Sequence, residues 1–176
     1  MATLLIMALP EESKNRFEQA QIEVQYCGIG MLNAAYTTHK LIIERKPTKV
    51  INLGTAGSFK LKKGDLVECS SFIQRFAFKS AIPGHQRIDT TDFISQLPKA
   101  ICGTGDYLQK EQSTFFDIMD MEAYAMAFVC QKLNVNFHSI KFISDNSNEN
   151  TLSDWKKNLQ QASEALFQTY HDLKIK

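Results

Sequence analysis

Short, continuous apolar runs recur along this chain, and most are separated by stretches whose apolar residues repeat at helical spacing. Residues 3–8, 49–53 and 136–144 read as strands, the first of them buried on both faces. Shorter strands are predicted at 22–27, 66–72, 99–102 and just before Glu122. Between them, Met31, Ala34, Ala35, Thr38, Leu41 and Ile42 mark one helix, and Ala123, Met126, Ala127, Cys130 and Leu133 a second. From residue 151, Leu152, Trp155, Leu159, Ala162, Leu166, Tyr170 and Leu173 step by three and four. That is an amphipathic helix expected to pack on the sheet in a structural role, with Thr151 and Asp154 fitting a capping box. The pattern breaks over 75–98, which reads as a long loop with a short helix at 92–96. Strands alternating with helices, without internal repeats, predict an α/β fold. The expectation is a single domain over residues 1–176, a mostly parallel mixed central sheet flanked by helices.

Charge and motif counts exclude several classes. Twenty Lys and Arg stand against nineteen Asp and Glu. No basic run or acidic tail gives an electrostatic case for nucleic acid or membrane as partners. Cys27, Cys69, Cys102 and Cys130 are far apart and form no C-x-x-C pair, which suggests buried reduced thiols in a cytosolic protein. His39, His85, His138 and His171 are scattered, so no metal site is expected. Residues 1–8 are apolar but short, without a positive n-region or a cleavage site. A cytoplasmic protein without a signal peptide is therefore expected.

In parallel sheets, ligands bind beyond the carboxyl ends of strands. Four such places carry chemistry here. Pro10-Glu11-Glu12 follows the first strand, and Gly54-Thr55-Ala56-Gly57-Ser58 follows the run at 49–53. Glu122 sits at a strand-to-helix junction, and Ser144-Asp145 ends the strand at 136–144. Each has a plain explanation: helix-start electrostatics for Glu12 and Glu122, a glycine turn around Thr55, an Asx turn at Asp145. Gly28-Ile29-Gly30 lacks the third glycine of a dinucleotide fingerprint and a P-loop lysine, so a tight packing turn is the commoner explanation. What favours function is that the tips with Glu12, Thr55, Glu122 and Asp145 can share one edge.

Taken together these pieces resemble the purine nucleoside phosphorylase and 5'-methylthioadenosine/S-adenosylhomocysteine nucleosidase family. The matching segments are Ala8-Leu9-Pro10-Glu11-Glu12, Cys27-Gly28-Ile29-Gly30 with Asn33-Ala34-Ala35, and Val50-Ile51-Asn52-Leu53-Gly54-Thr55-Ala56-Gly57. Gly64-Asp65-Leu66-Val67, Gly105-Asp106, Asp120-Met121-Glu122-Ala123 and Ile143-Ser144-Asp145 continue in the family's order. The resemblance implies cleavage of an N-glycosidic bond in a purine nucleoside, without cofactor or metal, by a homodimer. It implies Asp145 as the general acid at purine N7, oriented by Ser144. Glu122 would bind the ribose hydroxyls, with Met121 packed on the sugar. Glu12 would activate water, and Thr55 would help hold the nucleophile beside Ala56 and Gly57. Leu108 falls where the family has a base-stacking aromatic, and Gln109 where the backbone meets the purine. Tyr107, Phe76 or Phe78 are alternative stacking residues. The segment between Phe72 and Lys99 is shorter than in the family.

Charge separates hydrolysis from phosphorolysis. A phosphate nucleophile needs cationic or N–H-rich partners. The phosphorylase branch has an arginine where this chain has Asn52, and Gly and Arg where it has Glu11 and Glu12. A carboxylate repels phosphate and can deprotonate water. The expectation is a purine nucleosidase acting on a nucleoside such as 5'-methylthioadenosine or S-adenosylhomocysteine. The alternatives are a phosphate-dependent phosphorylase and a non-catalytic nucleoside-binding protein.

Overall fold

The computed structural model of the protein describes residues 3–75, 87–107, 112–148 and 150–173. Among these residues eight strands form one mixed sheet: β1 Thr3–Met7, β2 Gln25–Tyr26, β3 Lys49–Gly57, β4 Leu66–Gln74, β5 Ile88–Asp89, β6 Lys99–Thr104, β7 Ile118–Asp120 and β8 Asn136–Asp145. The helices are α1 Pro10–Ser13, α2 Arg16–Gln19, α3 Met31–Arg45, α4 Ala123–Lys132 and α5 Thr151–Asp172. The α/β architecture with a mixed, mostly parallel sheet matches the sequence expectation. β1 pairs in parallel with β2 and β3, β3 with β8, β4 with β6 and β6 with β7. The antiparallel contacts are β3 with β7, β4 with β5 and β4 with β8. Through them β3, β8, β4, β6 and β7 close into a ring.

Strand alternation assigns the faces. Leu4, Ile6 and Val50 pack with Ala34, Leu41, Met126 and Cys130 beneath α3 and α4. Leu5, Met7, Ile51 and Leu53 point the other way, onto Phe17 and the Ala162–Leu166 side of α5. A third cluster, with Phe72, Cys102, Ile118 and Ile143, joins the ring of strands to the start of α4. The four cysteines are buried and free.

Three local expectations are corrected. No helix forms over 92–96: the chain stays irregular there, and Ile94 N, Ser95 N and Ser95 Oγ donate to the buried Glu68 carboxylate. Satisfying that carboxylate wins over local helix bonding. The Thr151/Asp154 capping box is not formed. Asn150 is the N-cap, Thr151 Oγ1 donates to Asn148 O, and Asp154 pairs with Lys63 Nζ at 3.0 Å. Finally, the small residues Gly54 to Gly57 do not turn away after the apolar run. They continue β3, because β8 pairs alongside them.

Where β1 and β7 stop decides where a site can form. Both pair on the same edge of β3. β1 covers Lys49 to Asn52, and β7 arrives from the opposite direction to meet Gly57. Between Asn52 and Gly57 that edge has no strand partner among the described residues. The residues just past β1 and just past β7 therefore face each other across the gap.

Candidate active site

The gap opens into a cavity of about 380 Å³. Its floor is Thr55, Ala56 and Gly57, and its walls carry Glu12, Met121, Glu122, Ser144 and Asp145. Every site residue expected from sequence within the described residues thus lines one cavity. Leu108 and Gln109 lie outside the described residues, as do Phe76 and Phe78. Tyr107 lines the cavity, with the Arg75 guanidinium carbon 4.5 Å from its ring centroid.

Glu12, Glu122 and Asp145 are only 4%, 7% and 5% exposed, so each needs partners. Pro10 starts α1 directly after β1 and turns Glu12 back toward β3. There Glu12 Oε1 accepts from Thr55 N at 2.8 Å and Thr55 Oγ1 at 2.7 Å, taking the place of the missing strand. Oε2 accepts only a long bond from Leu9 N, 3.4 Å. A Cβ on Gly54 would lie 3.3 Å from Glu12 Oε1, so glycine there lets the carboxylate lie against the strand.

Asp145 is set by an irregularity. β3 and β8 pair in register through Ala56 and Ile143, then Gly57 pairs with Asp145, leaving Ser144 as the extra residue. Such a bulge re-aims side chains. Asp145 Oδ2 accepts from Ser144 Oγ at 2.8 Å and Oδ1 from Ser147 N at 2.9 Å. Ser144 Oγ also lies 3.4 Å from Ala56 O. The hydroxyl can donate to an ionised Asp145, or accept its proton while donating to Ala56 O. A Cβ on Gly57 would sit 2.2 Å from Ser147 Oγ and 2.6 Å from Asp145 Oδ1, so only glycine fits that floor position.

Glu122 does not cap α4, although it is the N-cap residue. Asp120 does this instead, its Oδ2 accepting from Ala123 N at 2.9 Å. Glu122 Oε1 accepts from Gly30 N at 2.9 Å, while Asp106 Oδ1 accepts from Met31 N at 2.7 Å. The glycine turn before α3 therefore admits two carboxylates of the chain itself. Gly30, at φ 96°, would place a Cβ 3.1 Å from Asp106 Oδ1. Burial, with the Asp120 charge beside it, pushes the Glu122 carboxyl up to about 8. The folded state thus holds a proton that the unfolded chain releases near pH 4.5. Stability from this group is full below that pH and is lost as pH rises through 8. Glu122→Gln should remove that loss. Its melting temperature relative to wild type should climb between pH 5 and 9, and a constant offset over that range would contradict the buried proton.

Sequence reasoning missed five contributors. Lys141 lies in the middle of β8, 2% exposed, with Nζ 2.9 Å from Asp120 Oδ2. Burial would lower its pKa, but Asp120 and Glu122 hold it above the ordinary lysine value. Burial likewise would raise the Asp120 carboxyl, and Lys141 with the Thr104 hydroxyl outweighs it. A Cβ on Gly54 would lie 3.5 Å from Lys141 Nζ as well as beside Glu12, so the glycine leaves room for both side chains. A lysine inside an apolar strand run was the available signal. Arg75 directly follows β4 and lines the cavity, donating to Gly105 O at 2.6 Å and Tyr107 O at 2.7 Å. Leu152 and Trp155 bring the start of α5 over the cavity. Trp155 Nε1 donates to Thr55 Oγ1 at 3.0 Å, and Asn158 Nδ2 to Ser144 O at 2.7 Å. The helix read as purely structural is also a wall of the site. Helical spacing gave no sign of this, because wall and core residues share one stripe.

Asn52, the position of the phosphorylase arginine, is 1% exposed, and its amide is engaged with Ile6 O and Ser139 Oγ. Among the described residues no cluster of three or more His, Cys, Asp or Glu could hold a metal ion, and no helix is long and apolar enough to cross a membrane.

The family model described as the phosphorylase superfamily matches residues 14–173. A 5'-methylthioadenosine/S-adenosylhomocysteine nucleosidase of Bacillus velezensis is 26% identical over 185 residues, covering 87% of this chain and 80% of the relative. The Helicobacter pylori nucleosidase of that name, solved with butyl-thio-DADMe-Immucillin-A, superposes with a TM-score of 0.87 at 22% identity, covering 98% of this chain and 97% of that one. The corresponding enzyme of Colwellia psychrerythraea, solved with adenine, superposes with a TM-score of 0.84 at 21% identity, covering 97% and 93%.

Proposed function

The chain belongs to the phosphorylase superfamily, and on that premise we propose that it is a purine nucleosidase, hydrolysing the N-glycosidic bond of a nucleoside such as 5'-methylthioadenosine or S-adenosylhomocysteine. The observation that carries this reading is Glu12. It is a carboxylate tied by one oxygen to Thr55, in a cavity shared with Glu122 and Asp145. An anion at this point opposes phosphate and suits water.

The mechanism follows from the three carboxyl groups. Asp145 gives its proton to purine N7 as the bond from C1' to N9 breaks and its electron pair passes to the base. Positive charge then develops on the ribose. Glu122 acts in its ionised form, having given to solvent the proton it holds in the empty cavity, and that carboxylate is stabilised as the charge appears. Its contribution is therefore larger in the transition state than in the ground state. Water adds to C1' while Glu12 takes its proton, and exchange with solvent returns the proton to Asp145. One water is consumed, and free base and free sugar leave. Met121 supplies an apolar surface for the ribose.

The test is to incubate the protein with 5'-methylthioadenosine, adenosine and inosine, each with and without phosphate, and to identify the products. Free base and free sugar, independent of phosphate, are expected. Ribose 1-phosphate formed only with phosphate would move the protein to phosphorolysis, and tight binding without turnover would make it a nucleoside-binding protein.

A homodimer is part of this proposal. Ile29 at the cavity, with Leu32 and Tyr36 on the next turns of α3, are 50%, 85% and 70% exposed, an apolar strip beside the site. Sedimentation as a monomer at micromolar concentration would count against it. A cytoplasmic location is also part of the reading, supported by four free cysteines. Recovery from an extracellular fraction would contradict it.

A further inference from the structure

We propose that Trp155 is a positioning residue for Glu12, acting through the Thr55 hydroxyl and so deciding which carboxylate oxygen is the base. The proposal rests on the nucleosidase reading. Its starting point is that an indole N–H can only donate. Trp155 Nε1 lies 3.0 Å from Thr55 Oγ1, so that oxygen must accept. The single hydroxyl proton is then free to go elsewhere, and Glu12 Oε1 stands 2.7 Å away. The relay has one direction: indole to hydroxyl, hydroxyl to carboxylate. Thr55 N adds a second donor to the same oxygen at 2.8 Å.

The two oxygens of Glu12 therefore differ. Oε1 is saturated by Thr55. Oε2, with only the 3.4 Å contact from Leu9 N, keeps its basic lone pairs for the attacking water. Without the indole, a water molecule can donate to Thr55 or compete for its proton, and the carboxylate loses its fixed orientation.

Trp155 itself is held from below. One residue earlier, Asp154 pairs with Lys63, and one turn later Asn158 reaches Ser144 O at 2.7 Å. The first turns of α5 thus touch the strand residue preceding the acid and, through Thr55, the base. A phenylalanine would fill the same wall, yet it would leave the relay without its donor. A wall role and a positioning role therefore make different predictions.

Trp155→Phe, Thr55→Val and the double variant separate them. With 5'-methylthioadenosine, Trp155→Phe should lower kcat about three- to tenfold, the scale of one hydrogen bond, at nearly unchanged KM. Thr55→Val should lower kcat further, and the double variant should match Thr55→Val alone, because the indole has nothing left to act through. A KM effect without a kcat effect, or losses that multiply, would overturn the proposal and leave Trp155 as a wall. A second readout needs no substrate. Trp155 is the only tryptophan of the chain, so the emission comes from this side chain alone. Thr55→Val should shift the emission maximum, and an unchanged spectrum would overturn the relay. A wild type that releases no base from any nucleoside would overturn the nucleosidase reading and the catalytic role with it. The emission shift would still report whether indole and hydroxyl meet.

Discussion

Asp145→Asn should lower kcat for release of the purine by about 10²–10⁴-fold, the usual contribution of a general acid, while the nucleoside still binds. The substitution suits the question because it changes little else. Asn keeps the size and shape of the side chain that packs against Gly57. Its oxygen can still accept from Ser147 N, and its amide can face Ser144 Oγ, which then donates to Ala56 O. What Asn lacks is a proton acidic enough to give to purine N7. The loss should therefore fall on kcat, with the dissociation constant for a nucleoside changed only a few-fold. Thermal shift with and without 5'-methylthioadenosine measures the binding, and base release measures the chemistry. A variant within tenfold of wild-type kcat would remove Asp145 from the acid role. Phosphate-independent hydrolysis by the wild type would still stand in that case, and the proton source would have to be sought elsewhere in the cavity, with Glu122 the first alternative.

The strands and helices were legible because burial writes itself into the sequence. β1, β3 and β8 are apolar runs, and α3, α4 and α5 carry apolar residues at helical spacing. The acidic tips were legible for the same reason, since a Glu or Asp at the end of an apolar run stands out. Direction was not. β7 reaches β3 antiparallel, and a three-residue strand carries no periodicity from which to read its partner or its sense. The site therefore lies between two strands meeting head to head, not along one carboxyl edge. The long-range contacts were equally hidden. Trp155 and Thr55 are a hundred residues apart, and nothing local in either segment announces the other.

Lys141→Met should cost the fold more than any other single change considered. Breaking a buried ion pair by removing one partner typically costs about 3–5 kcal/mol, which in a domain of this size lowers the melting temperature by roughly 10 °C. Lys141 and Asp120 meet that condition, with side chains 2% and 1% exposed and 2.9 Å apart. Without the ammonium, Asp120 must either stay charged in a dry interior or take up a proton and weaken the bonds it accepts from Thr104 and Ala123. Adding Asp120→Asn should restore a good part of the stability, because two neutral partners leave no uncompensated charge. The same substitution has a reading in activity. Lys141 is the cation that lowers the Glu122 carboxyl, so where Asp120 stays charged its loss should push that group further up and move the acid limb of the pH profile upward; where Asp120 takes up a proton, its larger upward push on Glu122 is lost as well and the limb should move down. Stability and pH profile thus test one statement by two routes: a single buried lysine offsets the charges of Asp120 and Glu122. A Lys141→Met protein that melts with the wild type would show that the acidic cluster does not depend on it.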